Sequence, residues 1–317
     1  MTGRAEIDKK KTIAVENKLR KYPDYLKGYY YSKNLSIRTM STYLTIIEKF
    51  IDNLQKPIEN VTIDDINEYI YNMKDCSDSH KATTYSAFKS FFDYMYKTGK
   101  IKSNPIEFVE RAKIRRNAKE RNDYLTEKEL QRFLYNVKNG YGSNRERAFQ
   151  QRLRTRDCAI CYIFLHTGIR LSALAELNVE DLDFQNKAIK VTTKGEKIKT
   201  YNGLDVCFEY INEWLIDREK FAKEDVPALF VGESGSRLCD VAIENIIKKY
   251  ARNIKGKNIT PHKLRATYAT MLYKRGVDLD TLCELMGHSQ VETTRIYIRG
   301  RENKTADAAK IMSKLCM

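Results

Sequence analysis

Three short stretches in the second half of the chain carry residue types able to act on an anion. Thr167-Gly168-Ile169-Arg170-Leu171-Ser172 puts an arginine just past a glycine that breaks an apolar run. A lone arginine at a helix start is ordinarily a surface residue. Here its positive charge opposes the helix macrodipole and so favours an anion nearby. Thr260-Pro261-His262-Lys263-Leu264-Arg265 reads as a helix start, with Thr260 as cap and Pro261 in the first position. His262 and Arg265 then stand three apart, on one face, at a helix end whose backbone N–H groups also attract anions. In the third stretch, Met286 to Tyr297, Gly287 ends one helix, and Ser289 with Glu292 forms a capping box for the next. His288 falls at that junction, and Tyr297 about two turns on. The chain has 21 tyrosines but only four histidines, and two of the four lie in these motifs.

Taken together, Arg170, Arg265, His262, His288, Tyr297 and the turn lysine Lys194 come without a carboxylate cluster to hold Mg²⁺. The set points to metal-free phosphoryl transfer, and no cofactor or metal is expected. Arginines donate paired hydrogen bonds to the non-bridging oxygens of a phosphoryl transition state. A tyrosine serves as nucleophile where neighbouring cations favour its phenolate. No Gly-rich phosphate loop is found, so nothing suggests an ATP site.

The elements that must position these residues are mostly helical. From Ser36, Tyr43, Ile46, Ile47, Phe50 and Leu54 recur at helical spacing, and Pro57 stops the run. Thr62 caps a second helix with Asp65, burying Ile66, Tyr69, Ile70 and Met73. A third, from about Ser79, buries Tyr85, Phe88, Phe92 and Met95 and ends at Gly99, and Asn104-Pro105 starts another short one. After a polar loop at 139–144, an apolar helix over Cys158 to Leu165 is central to a second core. Period-two alternation marks strands at 188–193 and 197–201, joined by the turn Lys194-Gly195-Glu196. From Leu204 to Leu315 the chain reads as successive helices. The expected organisation is an N-terminal arm (1–22), a helical domain (23–110), a basic linker (111–123) and an α+β domain (124–317). The fold class is mainly α with a small antiparallel β-sheet.

Lys plus Arg number 57 against 42 for Asp plus Glu, a formal net charge of +15, which suits a polyanion partner, nucleic acid being the commonest. The linker holds six basic residues and almost nothing to bury. Such a run is usually a solvated face, but between two domains of a basic protein Arg111, Lys113, Arg115 and Arg116 suit a phosphate backbone. Seven scattered cysteines argue against a disulfide framework and for a reducing cytosol. Cys158 and Cys161 form a lone CxxC inside an apolar run, where core packing is a better reading than zinc. The opening residues lack a signal-peptide core, and no run suits a membrane span, so a cytoplasmic, nucleoid-associated protein without membrane contact is expected.

The motifs TGIR, HKLR and GH followed nine residues later by Tyr resemble the signature of the tyrosine recombinase (phage integrase) family over about residues 124–300. The helical stretch before them is similar to that family's core-binding domain. The resemblance implies that Arg170, Arg265 and His288 stabilise the transition state and that His262 assists proton transfer. It implies further that Lys194 protonates the leaving 5′ oxygen and Tyr297 carries the 3′-phosphoryl link. It also implies two domains closing on double-stranded DNA as a C shape. A C-terminal helix carrying Ala308, Ile311, Met312 and Leu315 would dock on a neighbouring protomer of a homo-tetramer spanning two DNA sites. Integration or excision of a mobile element is the first expectation, and Xer-type chromosome dimer resolution the second. Type IB topoisomerase-like relaxation and a catalytically silent DNA-binding protein stand behind them. Ala173 stands where the family usually has an acidic residue, leaving Glu176 as a candidate to orient Arg170, and Ala266 stands where His is often found.

Overall fold

The structure, a computed structural model, describes residues 16–17, 19–111, 124–192 and 198–287. The chain divides into two compact units, up to Asn117 and from Ala118 on.

The first unit is helical: α1 (Asp24–Ser32), α2 (Ile37–Asn53), α3 (Ile63–Asn72) and α4 (Asp78–Lys97). Ser36 and Ser77 cap α2 and α4 through their side chains, and Thr62 with Asp65 closes the expected capping box on α3. Phe50, Phe88, Phe91 and Phe92 are buried together, Phe50 lying 4.7 Å from Phe88, ring to ring. Helix α1 has no signal in the apolar spacing, because its tyrosines spread around the helix. It packs through Gly28, where a side chain would begin 2.2 Å from the Tyr94 hydroxyl and would push that ring tip aside. The short helix expected from Asn104 is instead a single turn. Asn104 bonds Asp93 at 2.8 Å, Ile106 is buried, and the chain leaves the turn at once rather than adding a second one.

The second unit is built around α7 (Arg154–Thr167), whose residues Arg156 to Phe164 are all buried. Cys158 and Cys161 are core residues there, and burial pushes the Cys158 thiol up to about 12. Fully buried Asp157 accepts from Arg156, Lys249 and the Tyr250 hydroxyl, each at 2.8 Å, and so ties α7 to α10 (Asp240–Tyr250). Around α7 stand α5 (Glu127–Asn139), α6 (Asn144–Gln151), α8 (Leu171–Glu176), α9 (Asp205–Arg218), α11 (Pro261–Lys274) and α12 (Leu279–Met286). Ser143 and Glu146 form the capping box of α6. The sheet is antiparallel in the order β1 (Leu182–Asp183), β2 (Ala188–Thr192), β3 (Ile198–Tyr201). Ile189 stands opposite Tyr201, and Val191 opposite Lys199. β1 is two residues long, too short for a two-residue period to show. The expectation of nothing but successive helices after Leu204 is also corrected. Between α9 and α10 the chain is irregular, with isolated bridges Asn178–Ala228 and Val231–Arg237, and Ala228 to Val231 form a fully apolar segment buried in the core.

Candidate active site

Two helix C-termini meet at Arg170 and Arg265. Gly168 ends α7 and Gly287 ends α12, both in the left-handed conformation with φ near 59°. A helix end leaves its last carbonyls without helical partners and gathers partial negative charge. Four successive carbonyls of α12 are met by three cations here. Lys199 Nζ donates to Glu284 O at 2.8 Å and to Leu285 O. Arg265 donates to Met286 O and, across the site, to Gly168 O. Arg170 Nη2 donates to Gly287 O at 3.0 Å.

Each cation arrives from a different element. Arg170 is the N-cap of α8, so the positive charge that opposed its own helix dipole rests on the negative end of another. The acceptor that orients it is thus a backbone carbonyl on α12. Arg265 lies one turn into α11 and is only 3% exposed, whereas Arg170 is exposed. Thr260 occupies the N-cap of α11 with Pro261 next, as the spacing predicts, although the Thr260 side chain makes no capping bond. His262 is exposed on that first turn.

Lys199, Tyr201 and Tyr268 complete the cluster, and the motifs did not point to them. On β3 exposure alternates, turning Lys199 and Tyr201 to one side. Lys199 Nζ lies 4.8 Å from the Tyr201 ring centre. Burial, then the charges of Arg265 and Arg170, lower its pKa to about 8. Burial raises the Tyr201 and Tyr268 phenols, against the pull of the same arginine Arg265. The Tyr268 ring rests on Gly168, where a side chain would begin 2.5 Å from Cδ1. The period-two pattern of β3 is the signal that could have singled out Lys199 and Tyr201.

The structure thus brings Arg170 and Arg265 together with Lys199. Lys194, His288 and Tyr297 lie outside the described residues, as do Lys113, Arg115, Arg116 and the tail from Glu302. Arg111 is described and exposed. Among the described residues no group of three His, Cys, Asp or Glu side chains could hold a metal ion, and no helix is long and apolar enough to cross a membrane.

Residues 123–304 match the phage integrase family, and residues 24–99 match the phage integrase N-terminal SAM-like domain. A tyrosine recombinase XerC of Thermodesulfovibrio yellowstonii is 31% identical over 86% of this chain and 89% of its own length. That of Caldanaerobacter subterraneus is 30% identical over 79% and 68%. Among solved structures, XerH site-specific recombinase in a post-cleavage complex with a palindromic difH substrate superposes with a TM-score of 0.69 at 22% identity, covering 96% of this chain and 90% of that one. The Tn1549 transposon integrase with transposon right-end DNA gives 0.64 at 22% identity, covering 92% and 98%.

Proposed function

This chain belongs to the phage integrase family and is a tyrosine recombinase, an enzyme that cuts and rejoins DNA, and from that premise we propose that Tyr297 is its nucleophile. Tyr297 attacks the scissile phosphate, forms a 3′-phosphotyrosine and releases a 5′ hydroxyl, so the bond energy is kept and no ATP is needed. The observation that carries the reading is the convergence of Arg170 and Arg265, from α8 and α11, on one point beside the end of α12. Two guanidinium groups fixed in advance stabilise charge on the non-bridging oxygens without reorganising during the reaction. His288 adds a third donor, His262 moves a proton, and Lys194 protonates the leaving oxygen. The α+β domain at 124–317 carries the chemistry, the helical domain at 23–110 grips double-stranded DNA, and Arg111, Lys113, Arg115 and Arg116 follow phosphates between them. The tail, through Ile311, Met312 and Leu315, docks on a neighbour and builds a tetramer on two sites.

The test is Tyr297→Phe. Covalent protein–DNA adducts on a nicked suicide substrate are expected to vanish. Specific binding should stay within about threefold, since one hydroxyl contributes ~1 kcal/mol to the ground-state complex at most. Adducts retained in this variant would remove the assignment.

For biological role, we favour integration and excision of a mobile element. Chromosome dimer resolution is the second reading, favoured by relatives named XerC at 30–31% identity. A circular junction formed from the DNA flanking its own gene supports the first. Resolution of chromosome dimers with no such circle supports the second.

A further inference from the structure

Lys199 is not part of the motif set, yet it shares one row of acceptors with both arginines. Its ammonium sits beside Glu284 O and Leu285 O, immediately before the carbonyls that take Arg265 and Arg170. A side chain beginning at Gly287 would lie 3.7 Å from Arg170 Nη1 and 4.0 Å from Lys199 Nζ, so these two charges flank the same small space. The helix carbonyls take two of the three hydrogens on Nζ, and one of the five on the Arg170 guanidinium. The strand fixes the rest: Lys199 is opposite buried Val191 on β2, so its stem is anchored while its head faces the arginines.

We propose that Lys199 is a third phosphate-binding cation of the active site, contacting a non-bridging oxygen of the scissile phosphate beside Arg170 and Arg265. This rests on the reading of those arginines as the phosphate site. Three like charges held this close, one of them buried and one half-buried, repel one another, and the repulsion is relieved by an anion between them. Burial, reinforced by the charges of Arg265 and Arg170, also lowers the basicity of Lys199. Helix α12 holds the three heads in line, and the phosphate completes the charge balance that four carbonyl dipoles leave unfinished.

The experiment compares single-turnover cleavage of a suicide duplex carrying either a normal diester or a neutral methylphosphonate at the scissile position. A cation that neutralises a non-bridging oxygen is needed for the first and not for the second. Lys199→Gln keeps an N–H for the α12 carbonyls and removes the charge. It should cleave the diester at least tenfold more slowly than the wild type, and the methylphosphonate within threefold of it. Lys199→Arg should stay within threefold on both. Melting curves confirm that the variants are folded, and Lys199→Met is read in the same way should the Gln protein melt early. Diester cleavage within threefold of wild type in both neutral variants overturns the proposal. So does an equal defect on the two substrates, which marks a residue that only supports the fold. Arg170→Ala and Arg265→Ala run in parallel. If they show the methylphosphonate rescue and the Lys199 variants do not, Lys199 alone is misassigned. If none of them slows cleavage, the phosphate site itself is misplaced.

Discussion

In the proposed mechanism Arg170 and Arg265 do one job from two environments, and their replacements should differ accordingly. Arg265 is buried and bridges the ends of α7 and α12 through Gly168 O and Met286 O. Removing it leaves a cavity and two under-satisfied carbonyls, so Arg265→Ala is expected to lower unfolding free energy by about 2–4 kcal/mol. Exposed Arg170 holds only a helix-end contact of this kind, and Arg170→Ala should lose less than about 1 kcal/mol. Both should slow cleavage by roughly 10²-fold or more, because each removes charge stabilisation already in place. Urea unfolding beside suicide-substrate cleavage checks both halves; equal stability losses would contradict the bridging role of Arg265. The arginines were legible from sequence because glycine and proline punctuate the chain around them. Lys199 and Tyr201 carried only the weak period-two signal of β3, and Tyr268 none, so the fold is needed to select them from many lysines and tyrosines.

The elements that frame the site end on glycines with nearly identical backbone angles but unequal surroundings. Gly287→Ala places a methyl at ordinary contact distance from Arg170 and Lys199, so its penalty is the left-handed conformation alone, about 1 kcal/mol. Gly168→Ala pays the same strain and also drives a methyl to 2.5 Å from the Tyr268 ring, so ~2–4 kcal/mol is expected. Thermal unfolding of the two variants should rank them in that order. Helices with a wet face, such as α2 and α3, were readable from apolar spacing and capping boxes. Helix α1, ringed with tyrosines, and the segment at Ala228 to Val231 were not, because their partners lie far away in sequence. The short helix expected at Asn104 stops after one turn, whose start is tied to α4 by the Asn104 bond to Asp93.

At the scale of the whole molecule, a net charge of +15 makes DNA affinity strongly salt-dependent. Replacing Arg111, Lys113, Arg115 and Arg116 together by Gln should weaken binding to any sequence. It should also make the slope of log K against log salt shallower by up to about four. An unchanged slope returns the linker to a solvated charge run. Cleavage should persist in EDTA. The burial of Lys199 beside Arg265 and Arg170, with Tyr201 also next to it, has a consequence for the protein's proton inventory. Above pH about 8 the uncomplexed enzyme has largely given up the Lys199 proton, whereas an ordinary lysine holds it past pH 10. A phosphate seated between the three heads restores it, so at pH 9 complex formation takes up as much as one proton from the buffer, and affinity falls as pH rises. Titration calorimetry in two buffers of different ionisation enthalpy would register that uptake as a difference in apparent heat, present in the wild type and absent in Lys199→Gln.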